Sequence, residues 1–131
     1  MNFAPLKNAV DNLKKNAERY GTAIKKLQGD GSKSPSPDAL NALNQDLIKI
    51  QRTFLTERGL PERPWFKHQV YAPGAYTGYG AKPIAAVREF MDERKWKEAE
   101  AEIPGVASVL EDVAAAIAKA ADDAEKAVPP Q

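Results

Sequence analysis

Apolar residues recur at alternating steps of four and three from Leu6 through Val10, Leu13, Ala17, Tyr20, Ile24 and Leu27. That spacing is the stripe of an amphipathic helix with one side against a core. Pro5 stands where a first-turn proline is tolerated, and the glycines at 29 and 31 stop the helix. Lys7, Asp11, Lys14, Lys15, Glu18 and Lys25 take the opposite side and read as a solvated face. Residues 29–36 are rich in glycine and serine with one proline, the composition of a linker. Ser36 before Pro37 matches an N-cap followed by a first-turn proline. Leu40, Leu43, Leu47, Ile50 and Phe54 then repeat the spacing to about residue 56, with Ile48 and Leu55 widening the stripe.

A further long stripe runs from about Lys95 through Ala99, Ile103, Val106, Leu110, Val113, Ile117, Ala121 and Ala124. Pro104 and Gly105 interrupt it, which predicts a kink or restart over 102–105, because proline removes a backbone bond and crowds the preceding turn. Residues 83–94 predict a short third helix with Ile84, Val87, Phe90 and Met91 inward. Between the second and third helices, residues 57–82 have no helical period and carry Pro61, Pro64 and Pro73. Aperiodic stretches of this length are uncommon in compact domains unless functional or disordered. Trp65, Phe66, Tyr71, Tyr76 and Tyr79 crowd into this segment and favour an ordered, functional loop. The expectation is an all-α, four-helix up-down bundle, one domain over 1–131, with a long ordered loop at 57–82 between helices two and three. No internal repeat is seen, and the stripes are too short for a filament.

Composition narrows the function. Nineteen basic residues against 18 acidic ones leave no electrostatic footprint for nucleic acid. With no cysteine and a single histidine, this chain offers no disulfide scaffold, zinc finger or cysteine nucleophile. No apolar run approaches the roughly 18 residues of a membrane span, and the first residues do not read as a signal peptide. His68 lacks a second imidazole to complete a metal site and reads as a hydrogen-bonded structural residue of the loop. The carboxylate pairs Glu98 with Glu102 and Asp122 with Glu125 read as solvated helix face, since nothing nearby in the sequence would raise one pKa for acid catalysis. The run Gly74-Ala-Tyr-Thr-Gly-Tyr-Gly80 matches neither the Walker nor the dinucleotide pattern. Its hydroxyls and amides suit a carboxylate better than a phosphate.

The loop carries a family resemblance. Gly59-Leu-Pro-Glu-Arg-Pro-Trp-Phe-Lys-His-Gln-Val-Tyr-Ala-Pro73, followed by Thr77-Gly-Tyr79, resembles the C-terminal transferrin-receptor-like dimerisation domain of glutamate carboxypeptidase II and related M28-type zinc metallopeptidases. The similarity extends upstream through Leu43 to Leu47 and Phe54-Leu55, and downstream through Ala86 to Glu89 and Trp96. The resemblance implies a helical bundle that follows a protease domain and an apical domain and forms much of a homodimer interface. It implies self and the protease domain as partners, and no cofactor in this chain, the zinc belonging to the protease domain. It also implies an extracellular, periplasmic or membrane-anchored luminal setting for the parent. In that family the loop reaches the substrate pocket, where a lysine and a tyrosine hold the C-terminal glutamate. Counted from Tyr71-Ala-Pro73, the tyrosine falls on Tyr79 and the lysine falls on Gly78. Losing that ammonium removes a partner for a second carboxylate.

The expected function is a non-catalytic dimerisation module whose loop completes a substrate pocket in the intact enzyme. The alternatives are an excised bundle used as a protein-binding scaffold, or a small peptide- or carboxylate-binding module. Expected core positions are Leu13, Tyr20, Ile24, Leu43, Leu47, Ile50, Phe54, Val87, Val106, Leu110, Val113 and Ile117. Trp65 or Phe66 should be buried under the loop, with His68, Tyr71 and Pro73 completing its structure. Arg58, Arg63 or Lys67 should satisfy loop carbonyls or carboxylates. Ile48, Leu55, Val109 and Val128 are the candidates for an interface.

Overall fold

The longest helix, Trp96–Ala127, is the rod on which the others are laid. A computed structural model describes residues 1–29 and 34–128. In chain order the elements are α1 (Ala4–Gln28), α2 (Pro37–Thr53), strands β1 (Tyr71–Pro73) and β2 (Ala81–Pro83), α3 (Ala85–Asp92) and α4 (Trp96–Ala127). Of the linker expected at 29–36, residues 30–33 lie outside the described residues. Ser36 is the N-cap as expected, its hydroxyl accepting from the Ala39 amide at 3.2 Å.

Side-chain bonds give the directions. Asn12 donates to Glu111, Asn16 to the Ala114 carbonyl and Arg19 to Glu125, so α1 and α4 run parallel. Lys119 of α4 donates to Asp46 of α2, while Arg58, beyond the end of α2, reaches back to Glu102, so α2 and α4 run antiparallel. The three long helices therefore alternate in direction, and the loop with α3 fills the place of a further rod.

Alanine makes the packing close. Ala99, Ala107, Ala114, Ala120, Ala121 and Ala124 of α4 are all buried, so backbones can approach with little side-chain volume between them. The inward stripe of α1 is Leu6, Ala9, Leu13, Asn16, Tyr20, Ala23, Ile24 and Leu27, which departs from the expected one by taking Ala9 and Asn16 in place of Val10 and Ala17 and by adding Ala23. Val10 and Ala17 are exposed, whereas Ala9 is buried and Asn16 bonds to Ala114 across the seam at 2.9 Å. Small Ala9 lets the helices close, and Asn16 finds a partner, so neither needs the larger apolar neighbour.

Other expectations need correction. Leu47 is 36% exposed, because α2 turns Leu43, Asp46 and Ile50 toward α4 instead. Val109, an interface candidate, is buried, since α4 is covered on several sides. Helix α4 passes Pro104 without a restart. Helix α2 ends at Thr53, where Leu55 bridges to His68 and the Thr56 amide turns to the Lys67 carbonyl. Helix α3 is shorter than expected because Ile84 and Arg94, at φ of 46° and 60°, bracket it with left-handed backbone. Of the carboxylates taken as solvated face, Glu98 is exposed and Asp122 and Glu125 hold Arg19 in exposed ion pairs, whereas Glu102 is largely buried and holds Arg58. Buried Asp46, invisible to a hydrophobic count, is held by Lys119 through both carboxylate oxygens at 2.8 Å.

Candidate functional site

Residues 54–84 are ordered by their own bonds. Gly59 adopts φ of 66°, which L side chains rarely tolerate, and its amide and carbonyl bond to Thr56 and to the Gln69 side chain. Leu60, Gln69 and Ala72 are buried, and Phe66 packs half-buried against the main core. Trp65 is 72% exposed, so the loop rests on Phe66 and Leu60 and not on its indole. The three cationic residues act as expected. Arg58 pairs with Glu102, the Lys67 ammonium donates to the Glu57 carbonyl, and Arg63 donates to the Pro73 carbonyl at 2.7 Å.

His68 is structural in its geometry. Its ring stacks on Phe54 at 5.1 Å between centroids, and Nδ1 accepts from the Tyr71 amide at 3.0 Å and the Val70 amide at 3.3 Å. Desolvation by burial lowers its pKa below the usual value near 6.5. Protonation would place a donor against two donors. The folded pKa lies below the unfolded one, so this contribution to stability is present above about pH 6.5 and fades as pH falls through the folded value. Wild-type protein should thus lose melting temperature on acidification through this window more steeply than His68→Phe. Parallel pH curves for the two proteins would show that His68 contributes no such dependence.

The part expected to lack strands contains a short hairpin. Tyr71, Ala72 and Pro73 pair antiparallel with Pro83, Lys82 and Ala81. Proline ends both strands, which hides them from a strand pattern. Ala72 faces inward and Tyr71 and Pro73 face out. The connecting turn closes through Gly74 N–H to the Gly80 carbonyl at 3.1 Å. A Cβ at Gly74 would lie 2.1 Å from the Thr77 hydroxyl, which would have to swing aside. Gly78 has φ of 62° in open space, and Tyr79 beside it is fully exposed.

The base of this turn is fixed to α3. Glu89 accepts from Arg63 at 2.6 Å with one carboxylate oxygen and from the Ala75 amide at 2.7 Å with the other. Further along, Lys82 pairs with Asp92 and Lys95 with Glu93. The charge of Glu93, with a hydrogen bond, raises the Tyr76 pKa. A cleft of about 220 Å³ lies between turn and helix, lined by Arg63, Ala75, Tyr76, Glu89 and Phe90 among others. The Ala75 amide of the glycine run is taken by Glu89.

Of the sequence-derived candidates, Tyr71, Pro73 and Tyr79 come together on the hairpin, and Phe66 and His68 support it from below. Ile48 and Leu55 are exposed along α2 and its end, and Val128 is half-buried at the far end of α4. Sequence reasoning missed Glu89, whose pairing with Arg63 spans 26 residues. Among the described residues no group of three or more histidine, cysteine, aspartate or glutamate side chains is placed to hold a metal ion. Among the described residues no helix is long and apolar enough to cross a membrane.

Three long alternating helices with a hairpin-bearing loop define a mostly helical bundle. The family model for the transferrin receptor-like dimerisation domain matches residues 1–118, and the chain belongs to that family. A probable glutamate carboxypeptidase, LAMP1, of Arabidopsis thaliana is 33% identical over 86 residues, covering 66% of this chain and 13% of the relative. The aminopeptidase NAALADL1 of Mus musculus is 28% identical over 127 residues, covering 93% of this chain and 17% of that protein. A probable glutamate carboxypeptidase of Arthroderma benhamiae is 26% identical over 92 residues, covering 70% of this chain and 12% of the relative. The chain thus spans less than a fifth of the length of these relatives.

Proposed function

We propose that this chain is the non-catalytic dimerisation module of a glutamate carboxypeptidase-like peptidase, and that its hairpin completes the substrate pocket of the intact enzyme. The observation that carries the first part is the state of α2. Among the named elements its backbone lies against α4 alone, and Leu40, Leu47, Ile48 and Leu55 along its other sides are exposed. Paired with family membership, that unpartnered apolar surface suits a second copy of the chain. For the second part, support comes from Tyr79. Its phenol stands fully exposed at a glycine-flanked turn, free to donate to a carboxylate at the end of a bound peptide.

One hydrogen bond in water contributes about 0.5–1.5 kcal/mol, well below the cost of immobilising a peptide, so the hairpin works only beside other domains. Zinc would belong to the protease domain of the parent, as the family resemblance implies. Sedimentation of the chain should show a concentration-dependent dimer that the double variant Ile48→Glu/Leu55→Glu abolishes with helicity intact. A wild-type chain that stays monomeric to millimolar concentration would remove the dimerisation reading. In a full-length peptidase carrying this domain, Tyr79→Phe should raise KM several-fold, and unchanged kinetics would remove the pocket reading.

A further inference from the structure

We infer that Arg63 and Glu89 form a latch that sets the position of the Tyr79 hairpin, making both of them positioning residues for whatever the hairpin contacts. The functional part of this inference rests on the pocket role proposed for Tyr79; the latch itself does not.

The geometry distinguishes the pair from an ordinary surface ion pair. Both side chains are largely buried, 15% and 13% exposed. Each also holds a backbone group of the turn. One guanidinium nitrogen of Arg63 donates to the Pro73 carbonyl at 2.7 Å, and the other donates to Glu89 at 2.6 Å. The second oxygen of Glu89 accepts from the Ala75 amide at 2.7 Å. Pro73 ends β1, and Ala75 is the second residue of the turn that carries Tyr79. The hairpin is therefore gripped on both sides of Gly74 by two charges from separate places, one in the loop and one on α3. Beyond this grip, the turn bonds to itself through Gly74, Thr77 and Gly80, and Tyr76 at its outer part bonds to Glu93. Removing either charge would leave the other buried without its partner and would free one backbone group of the turn.

Sign matters at each contact, and this supplies the test. Exchanging the charges in Arg63→Glu/Glu89→Arg restores an ion pair. It also turns a carboxylate toward the Pro73 carbonyl and a guanidinium toward the Ala75 amide, both repulsive. A pair that served only general stability would be rescued by the swap, and the latch would not be.

Hydrogen exchange on the 131-residue chain is the direct readout. Glu89→Gln keeps the side-chain volume but has one acceptor oxygen for two donors. Exchange at residues 74–80 should accelerate by about tenfold or more, while the middle of α4 around Val106 stays protected. The charge swap should leave 74–80 equally fast. Unchanged exchange in Glu89→Gln, or wild-type protection in the swapped chain, would overturn the latch. Should the swap fail to fold by circular dichroism, Glu89→Gln and Arg63→Gln decide alone, each expected to loosen the turn without loosening α4.

In a full-length peptidase the same Glu89→Gln change should raise KM with kcat nearly unchanged, because it misplaces a substrate contact without touching the reacting atoms. If the turn loosens and KM does not move, the latch stands and the pocket role of Tyr79 falls. If Tyr79→Phe raises KM and Glu89→Gln leaves exchange unchanged, the pocket role stands and the latch falls.

Discussion

Truncating Ile103 to alanine should lower the unfolding free energy by about 2–5 kcal/mol, a large share of the roughly 5–15 kcal/mol that a domain of this size holds. Ile103 is among the largest fully buried side chains and shares its cluster with Leu6 of α1, Leu60 and Ala72 of the loop and Val87 of α3. It sits where α1, the loop and α3 all converge on α4, so few neighbours can move to fill the space. Leu47→Ala provides the contrast. Its side chain is partly in water, and the change should cost about 1 kcal/mol or less. Urea unfolding with a common m-value measures both. Equal losses at the two positions would contradict the burial described for α2 and α4.

Gly59→Ala should be the most damaging single methyl in the loop, at about 2–4 kcal/mol. The left-handed backbone there disfavours any side chain. The added Cβ would also fall 2.3 Å from the Pro64 carbonyl oxygen and 2.7 Å from its carbon, backbone atoms that cannot rotate aside. Relief requires shifting the segment that carries Arg63, so the hairpin should loosen together with the loss of stability. Gly78→Ala isolates the backbone part, since φ is 62° and nothing lies within 4 Å of the new methyl. That change should cost only about 1 kcal/mol. Comparable denaturation midpoints for the two variants would mean the Pro64 contact yields without penalty.

These two sites mark what can be read from a sequence and what cannot. The stripe of α4 was legible because leucine, isoleucine and valine at three-four spacing state the period directly, and Ser36 with Pro37 states the start of α2, whose inward side was misread at Leu40 and Leu47. The inward side of α1 was misread at Val10 and Ala17 because hydrophobicity ranks valine above alanine, whereas close backbone approach favours Ala9 and a polar bond makes Asn16 an inward residue. The loop's order was legible from its aromatics, but its anchors were not. Phe66 is half-buried and Trp65 is not, a choice made by which ring faces Leu60 and the core. Glu89 looked like any helix-face carboxylate, because its partners at Arg63 and Ala75 meet it only after the chain has folded. Asp46 was hidden in the same way by Lys119, a partner 73 residues away.

The parallel pairing of α1 with α4 also bears on the order of events during synthesis. The bonds between them join residues 98 to 106 positions apart, from Asn2 with Glu100 to Arg19 with Glu125. A ribosome adding about 5–20 residues per second would release α1 roughly 5–20 s before the matching stretch of α4. Through that interval Leu6, Leu13 and Tyr20 have no permanent surface to cover them. An all-helical chain usually folds quickly because its contacts are local. Here the earlier helix is obliged to wait for a partner about 100 residues later, and an apolar stripe must stay soluble until then, a task suited to the lysines on the opposite face of α1.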